Sequence, residues 1–173
     1  MTEFLEILKY VLPSLVVFAA VYFLIRSFLD HELKQLKEEK KDDSRKAVIP
    51  LRFQAYERVV LLLERISPQN LVLRVNRSGL SKEMMQSELL QSVREEYEHN
   101  LAQQVYISDK AWDLVKTAKE EVLSDINTAA AKMTDKNTAA DYGQHVISLH
   151  LEKKSRAHDV AISFVKNEIK EMF

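Results

Sequence analysis

The feature that most constrains this chain is an uncharged apolar stretch near its N-terminus. Residues 10–25 read YVLPSLVVFAAVYFLI and contain no charged side chain. A helix that is apolar on every face has to be buried in a large protein or in lipid, and a bilayer requires about 20 apolar residues. Apolar residues extend the stretch on both sides, and Lys9 and Arg26 can carry their charges to the interfaces. We therefore expect a transmembrane helix. The predicted anchor residues are Tyr10, Val11, Leu12, Pro13, Leu15, Val16, Val17, Phe18, Val21, Tyr22, Phe23, Leu24 and Ile25.

The flanking charges distinguish this anchor from its alternatives and predict its orientation. A cleaved signal peptide should begin with a basic segment, but this chain begins MTEFLE. A buried core helix would need a larger protein around it. Basic residues are concentrated after the stretch, and the positive-inside rule places that side in the cytoplasm. The sequence thus predicts an uncleaved anchor that contacts the lipid bilayer. Its N-terminus would lie outside and the C-terminal domain in the cytoplasm.

Three segments follow from this pattern. Residues 1–29 form the predicted anchor, residues 30–48 a charged helical neck, and residues 49–173 a helical-bundle domain. The neck contains DHELKQLKEEKKDDSRKA, in which acidic and basic residues alternate. It is either a solvated helix or a flexible tether.

The composition of the domain favours helices. The chain has only two Gly and three Pro, and it has no Cys, which excludes disulfides and cysteine chemistry. We predict an all-α fold, in which the anchor is followed by a compact antiparallel bundle of four long amphipathic helices. Residues 69–76 fit either a short helix or a strand, and the short helix is preferred because no strand partner is evident.

Each long helix has a predicted start and a predicted buried face. The first begins at Pro50, the second is capped by Ser81, the third is capped by Ser108, and the last runs over residues 139–172. The residues expected to be buried include Phe53, Tyr56, Val59, Val60, Leu63 and Ile66 in the first helix; Met85, Leu90, Val93, Tyr97, Leu101 and Val105 in the second; Trp112, Val115, Ala118, Val122, Ile126 and Ala129 in the third; and Tyr142, Val146, Leu149, Ala157, Val160, Phe164 and Ile169 in the last.

Few residues indicate chemistry. Glu96 and His99 have the Glu-x-x-His spacing of di-iron helical bundles, but the second such pair and the further Glu residues of that site are missing. Arg74 and Arg77 bracket a turn and could hold an anion, although exposed arginines at a helix boundary are the simpler interpretation. The histidines are expected at the surface. We therefore predict no catalytic residue, no metal and no cofactor, with these four residues as binding candidates only.

The segment RFQAYERVVLLLERISPQNLVLRV, residues 52–75, resembles an uncharacterised bacterial family of small single-pass membrane-anchored helical proteins of unknown function. Its most specific part is Glu-Arg-Ile-Ser-Pro-x-Asn-Leu at residues 64–71. The resemblance implies a bacterial inner (cytoplasmic) membrane and carries over no site residue. The layout is also similar to subunit b of bacterial ATP synthase, but that subunit continues as one long helix, whereas prolines at positions 50 and 68 and the glycine at position 79 are expected to break this chain.

These observations predict a non-enzymatic accessory or scaffold subunit of a membrane protein complex. Its helical domain would bind another membrane protein. A ligand- or metal-binding sensor tethered to the membrane and a self-associating, stalk-like protein are the alternatives. A net charge of -1 gives no electrostatic basis for binding nucleic acid.

Overall fold

The computed structural model describes the backbone of residues 2–134 and 137–171, and the side chains of residues 15–35, 46–134 and 137–171. These residues form six α-helices and one 3-10 helix, with no strand among them. The α-helices are α1 (Thr2–Ile66), α2 (Pro68–Val75), α3 (Lys82–His99), α4 (Asp109–Ala131), α5 (Ala139–Leu151) and α6 (Ala157–Glu171), and the 3-10 helix is Leu101–Val105. The predicted all-α bundle is confirmed. The segment left open between helix and strand is helical.

The chain divides into two units, Met1–Ile49 and Pro50–Phe173, and α1 contributes to both. We expected Pro50 to begin a new helix, and this was wrong, since α1 continues through it for a total of 65 residues. A proline inside a helix removes one N–H bond and costs about 3 kcal/mol. Helix α1 continues in spite of that cost, and the boundary between the two units falls at this proline.

In the first unit, every residue from 15 to 35 is exposed. The exposed set includes the predicted anchor residues from Leu15 to Ile25. The described side chains do not include those of the predicted anchor residues Tyr10, Val11, Leu12 and Pro13. They also do not include residues 36–45 of the predicted neck. Among the described residues, no helix is both long enough and apolar enough to cross a membrane.

Helix α4 is the centre of the second unit, where it packs against α3, α5 and α6. Ser108 is the N-cap residue directly before α4. Its hydroxyl accepts a hydrogen bond from the N–H of Ala111 at 3.1 Å, the usual function of an N-cap serine. All six residues of its predicted face are buried: Trp112, Val115, Ala118, Val122, Ile126 and Ala129. The helical period identified this face correctly because every turn of α4 contacts another helix.

Helix α3 ends earlier than predicted. The side chain of Asn100 is buried and donates a hydrogen bond to the carbonyl of Glu96 at 2.8 Å, which replaces a continuing helical bond. The chain then forms the 3-10 helix. Leu101 and Val105 are therefore exposed, with Val105 at 76 %, whereas the prediction placed both in the core.

The predicted last helix is two helices. Residues 152–156 separate α5 from α6, and this interruption changes the phase of the helical period. In α6, Ala161 and Val165 are buried, whereas Val160, which was predicted to be in the core, is exposed. Phe53 in α1 is likewise half exposed rather than buried.

Helix α5 approaches α2 and α3 closely at Gly143. A Cβ atom at this position would lie 2.7 Å from Cγ1 of Val72 and 2.8 Å from Cε of Met85. The methionine tip can move, but the branched valine has little freedom. The absence of a side chain at Gly143 therefore permits the contact between these helices.

We predict that Gly143→Ala lowers the free energy of unfolding by about 1–3 kcal/mol, since overpacking outweighs the helix propensity that alanine adds. The measurement is chemical denaturation of the full chain followed by circular dichroism. Gln144→Gly and Gln144→Ala, at the exposed neighbouring position, provide the control. There alanine should be the more stable of the two, so a stabilised Gly143→Ala variant would contradict the close contact.

Candidate functional site

A carboxylate lies on the buried face of α4. Asp125 occupies the same helical stripe as Val122 and Ala129 and is only 5 % exposed. A charged side chain in such a position requires polar partners, because removing it from water without compensation is costly. Its partners come from the end of α5 and from the turn that follows.

An imidazole and an ammonium group are the hydrogen-bond partners of this carboxylate. The ring Nδ1 of His150 donates a hydrogen bond to Oδ2 of Asp125 at 3.0 Å, and the ammonium of Lys153 donates to Oδ1 at 2.5 Å. His150 is itself buried, at the end of the face that Tyr142 and Val146 form on α5. The hydroxyl of Tyr142 also donates to the carbonyl of Ile126 at 2.8 Å, which fixes α5 against α4 beside the site.

Glu121, one turn before Asp125 on α4, completes the group. Its carboxylate accepts the N–H of Ala157, with distances of 3.2 and 3.4 Å to its two oxygens, and thereby caps the start of α6. It also lies 3.7 Å from Nδ1 of His150 and 3.8 Å from the ammonium of Lys153. We call Glu121, Asp125, His150 and Lys153 the α4–α5 cluster.

The electrostatics of this cluster favour ionised Asp125. Burial is the largest influence on this carboxyl group and raises its pKa. The hydrogen bonds from His150 and Lys153, together with the positive charge of Lys153, outweigh burial, so the pKa lies below its usual value. The carboxylate is thus held in the charged form by specific partners rather than by solvent.

A second buried histidine lies next to the cluster. His158 in α6 is 6 % exposed, its ring centroid is 6.3 Å from that of His150, and its Nδ1 has no hydrogen-bond partner among the described residues. Burial lowers the pKa of His158, although Asp159 and Glu64 act in the opposite direction. Both histidines line a surface cleft of about 450 Å³ between the end of α1, the start of α2 and α6. The cleft gives a small solute a path from solvent to the two imidazoles.

The binding candidates from the sequence lie elsewhere. Arg74, Glu96 and His99 line one shallow depression with Arg65. Glu96 accepts a 2.7 Å hydrogen bond from Nε of Arg65, so a guanidinium already occupies the place beside this carboxylate. Among the described residues, no third carboxylate or imidazole joins Glu96 and His99 as a metal site would need.

Arg77 is not part of that depression. Its guanidinium forms a two-pronged pair with the carboxylate of Glu88, in which NH1 lies 2.8 Å from Oε2. Arg77 therefore forms an ion pair with Glu88 and does not line the depression that contains Arg74.

The α4–α5 cluster was not predicted from the sequence, because the histidines were expected at the surface. That expectation was wrong for His150 and His158, which are both buried. One signal was present: Asp125 falls in register with the apolar face of α4, where an acid requires a partner. The partner could not be identified, because it lies 25 positions further along the chain.

The ligand types in the cluster fit a cation. Glu121, Asp125 and His150 each offer one ligand atom, and these atoms lie within 4.8 Å of one another. Carboxylate oxygen and imidazole nitrogen are common ligands of divalent transition metals. In this structure, the ammonium of Lys153 supplies the positive charge between the two carboxylates.

Comparison with known proteins shows a family but no function. The sequence profile of a family of unknown function, DUF7935, matches residues 2–172, so the chain belongs to this family. No curated protein and no solved structure matches the chain. The predicted membership of an uncharacterised family is confirmed.

We predict that Asp125→Ala lowers the free energy of unfolding by about 2–4 kcal/mol, because it leaves His150 and Lys153 without their acceptor. Thermal and chemical denaturation of the full chain measure this loss. Asp113→Ala is the matched control on the same helix, since Asp113 pairs with Lys116 and both side chains are more than half exposed. The control should change stability by less than about 0.5 kcal/mol. Equal losses from the two variants would mean that the cluster contributes no more to the free energy of unfolding than an exposed ion pair does.

Proposed function

We propose that this member of DUF7935 is a non-enzymatic accessory or scaffold subunit of a membrane protein complex. Residues 10–25 would anchor it in a bacterial inner membrane, with residues 49–173 in the cytoplasm binding another protein. The observation that carries the proposal is the exposure of the apolar side chains in residues 15–29, on every face of the helix.

The size of this exposed apolar surface supports the anchor. The large exposed side chains are Leu15, Val16, Val17, Phe18, Val21, Tyr22, Phe23, Leu24, Ile25, Phe28 and Leu29. Burying one side chain of this kind contributes about 1.5–3 kcal/mol, so covering the whole set contributes on the order of 20 kcal/mol. This exceeds the net stability of a typical domain, about 5–15 kcal/mol. An environment that buries these side chains would therefore strongly stabilise this segment.

Lipid fits this segment better than a protein groove. A helix that docks in a groove buries one stripe and keeps a polar face, whereas here apolar side chains occupy consecutive positions from 15 to 18 and from 21 to 25. The proposed span also uses residues 10–14, whose side chains lie outside the described part of the chain. The basic residues after Ile25 support an orientation with the C-terminal domain in the cytoplasm.

The second unit offers a candidate surface for the partner. Leu101 and Val105 lie on the 3-10 helix between α3 and α4, where the early end of α3 leaves them exposed. Tyr106 follows directly and is also partly exposed. Aromatic and aliphatic side chains that are exposed together are typical of protein interfaces.

We predict that the full chain sediments with membranes, resists extraction by alkaline carbonate, and is released by detergent. A Val17→Lys and Val21→Lys double variant should move largely to the soluble fraction, because each lysine adds about 2.5–3.5 kcal/mol to the cost of insertion. Gln35→Lys, outside the proposed span, is the matched control and should stay with the membrane. Wild-type protein that remains in the supernatant without detergent would refute the anchor.

We predict a contact between the 3-10 helix and a partner protein. A photo-crosslinking residue at position 105 should give one discrete adduct with another membrane protein in native membranes. The same residue at position 120, where Glu120 is exposed on α4, is the control and should not give that adduct. An adduct of the chain with itself would favour the self-associating alternative, and equal adducts at both positions would argue against a specific surface.

A further inference from the structure

The α4–α5 cluster has the geometry of a metal site with three protein ligands. Ligands around a tetrahedral zinc ion lie about 3.4 Å from one another, given bond lengths of 2.0–2.2 Å. Nδ1 of His150 lies 3.0 Å from Oδ2 of Asp125 and 3.7 Å from Oε1 of Glu121. These two distances bracket the expected separation, and all three ligand atoms lie within 4.8 Å of one another, so the three side chains would have to draw together around an ion.

The charge of the cluster also fits a divalent cation. Glu121 and Asp125 carry two negative charges, which Lys153 balances only in part. A divalent ion in place of the ammonium would neutralise both carboxylates. The side chain of Lys153 is 33 % exposed, so its ammonium can move into water when the ion arrives.

The mixture of ligands selects among metals. An imidazole nitrogen with two carboxylates suits zinc and similar transition metals, whereas magnesium and calcium prefer oxygen ligands alone. Three protein ligands leave a fourth zinc position open for water. Of the three proposed ligands, His150 also lines the surface cleft that contains His158. The ring centroid of the buried His158 lies 6.3 Å from that of His150, and its Nδ1 has no hydrogen-bond partner among the described side chains, so a polar ligand near His150 could satisfy it.

We infer that Glu121, Asp125 and His150 form a binding site for a zinc-like divalent cation, which Lys153 occupies as an internal counter-ion when no metal is bound. Binding replaces the hydrogen bond between His150 and Asp125: Nδ1 gives up its proton to solvent and coordinates the metal, and the neutral ring then carries its single proton on Nε2. The site differs from the Glu96 and His99 pair that the sequence suggested, and it departs from the prediction that no metal binds. It is independent of the membrane anchor.

The test is zinc binding by the full chain in detergent micelles, measured by competition with a chromophoric chelator. We expect one zinc ion per chain. Glu121→Gln, Asp125→Asn and His150→Asn should each weaken the affinity by at least about tenfold, as expected for the loss of a ligand. Lys153→Gln should strengthen it by about tenfold, because the competing charge is gone. Zinc should also raise the melting temperature of the wild-type chain, since a ligand of the folded state stabilises it.

Matched controls keep the result interpretable. His99→Asn and Glu96→Gln remove the same chemical groups from the exposed depression and should leave zinc affinity unchanged. Circular dichroism establishes that each ligand variant is folded, and the gain expected from Lys153→Gln does not depend on a loss that misfolding could mimic. The proposal is overturned by any of the following results: no saturable zinc uptake by the wild-type chain, equal losses from His150→Asn and His99→Asn, or no gain from Lys153→Gln. Displacement of zinc by an equal concentration of magnesium would also overturn it.

Discussion

The burial of one carboxylate constrains how the second unit is assembled. Asp125 lies on the apolar face of α4, where an unpaired charge would destabilise the fold by several kcal/mol. It is compatible with that position only because α5 ends with His150 at 3.0 Å and the following turn places Lys153 against its other oxygen. The same turn brings the N–H of Ala157 to Glu121, where α6 begins. One group of charges therefore joins the interior of α4 to the end of α5 and the start of α6. Gly143, on the same α5, allows this helix to lie close to α2 and α3.

The two units follow opposite rules of burial, and this contrast supports the proposed function. In the second unit, the apolar face of α4 is fully covered by neighbouring helices, as expected for a domain with its own core. In the first unit, the apolar residues from 15 to 29 are exposed on all faces of α1. The two parts of the chain are therefore suited to different surroundings. In the proposed function these surroundings are lipid for the first part and water for the second, and the change of pattern lies within α1.

The sequence predicted those features that depend on local periodicity. The helical class and all six residues of the α4 face follow from spacing along the chain, since a helix surrounded by other helices repeats its buried positions regularly. Features that depend on contacts distant in sequence were missed. The break between α5 and α6 is stabilised by Glu121, 36 positions before Ala157, and the partner of Asp125 is His150, 25 positions later. Pro50 did not begin a new helix for a different reason: proline lowers the stability of a helix at its position without forbidding it, and α1 continues through it. At Asn100, by contrast, a helix ends without any proline or glycine, where the buried amide donates a hydrogen bond to the carbonyl of Glu96.

The partial exposure of Lys153 determines whether the cluster is only structural or can also exchange its cation. A fully buried lysine could not leave Asp125 without opening the core, and removing either partner would then unfold the region. Lys153 instead lies in the turn after α5 with a third of its side chain in solvent, whereas Asp125 and His150 are almost completely enclosed. The ammonium can therefore swing outward while the two enclosed groups keep their positions on α4 and α5. The energetic difference between the lysine-bound and metal-bound forms is then set by the charges, since the packing of the helices changes little. This is the condition under which the folded chain can respond to a divalent cation without losing its fold.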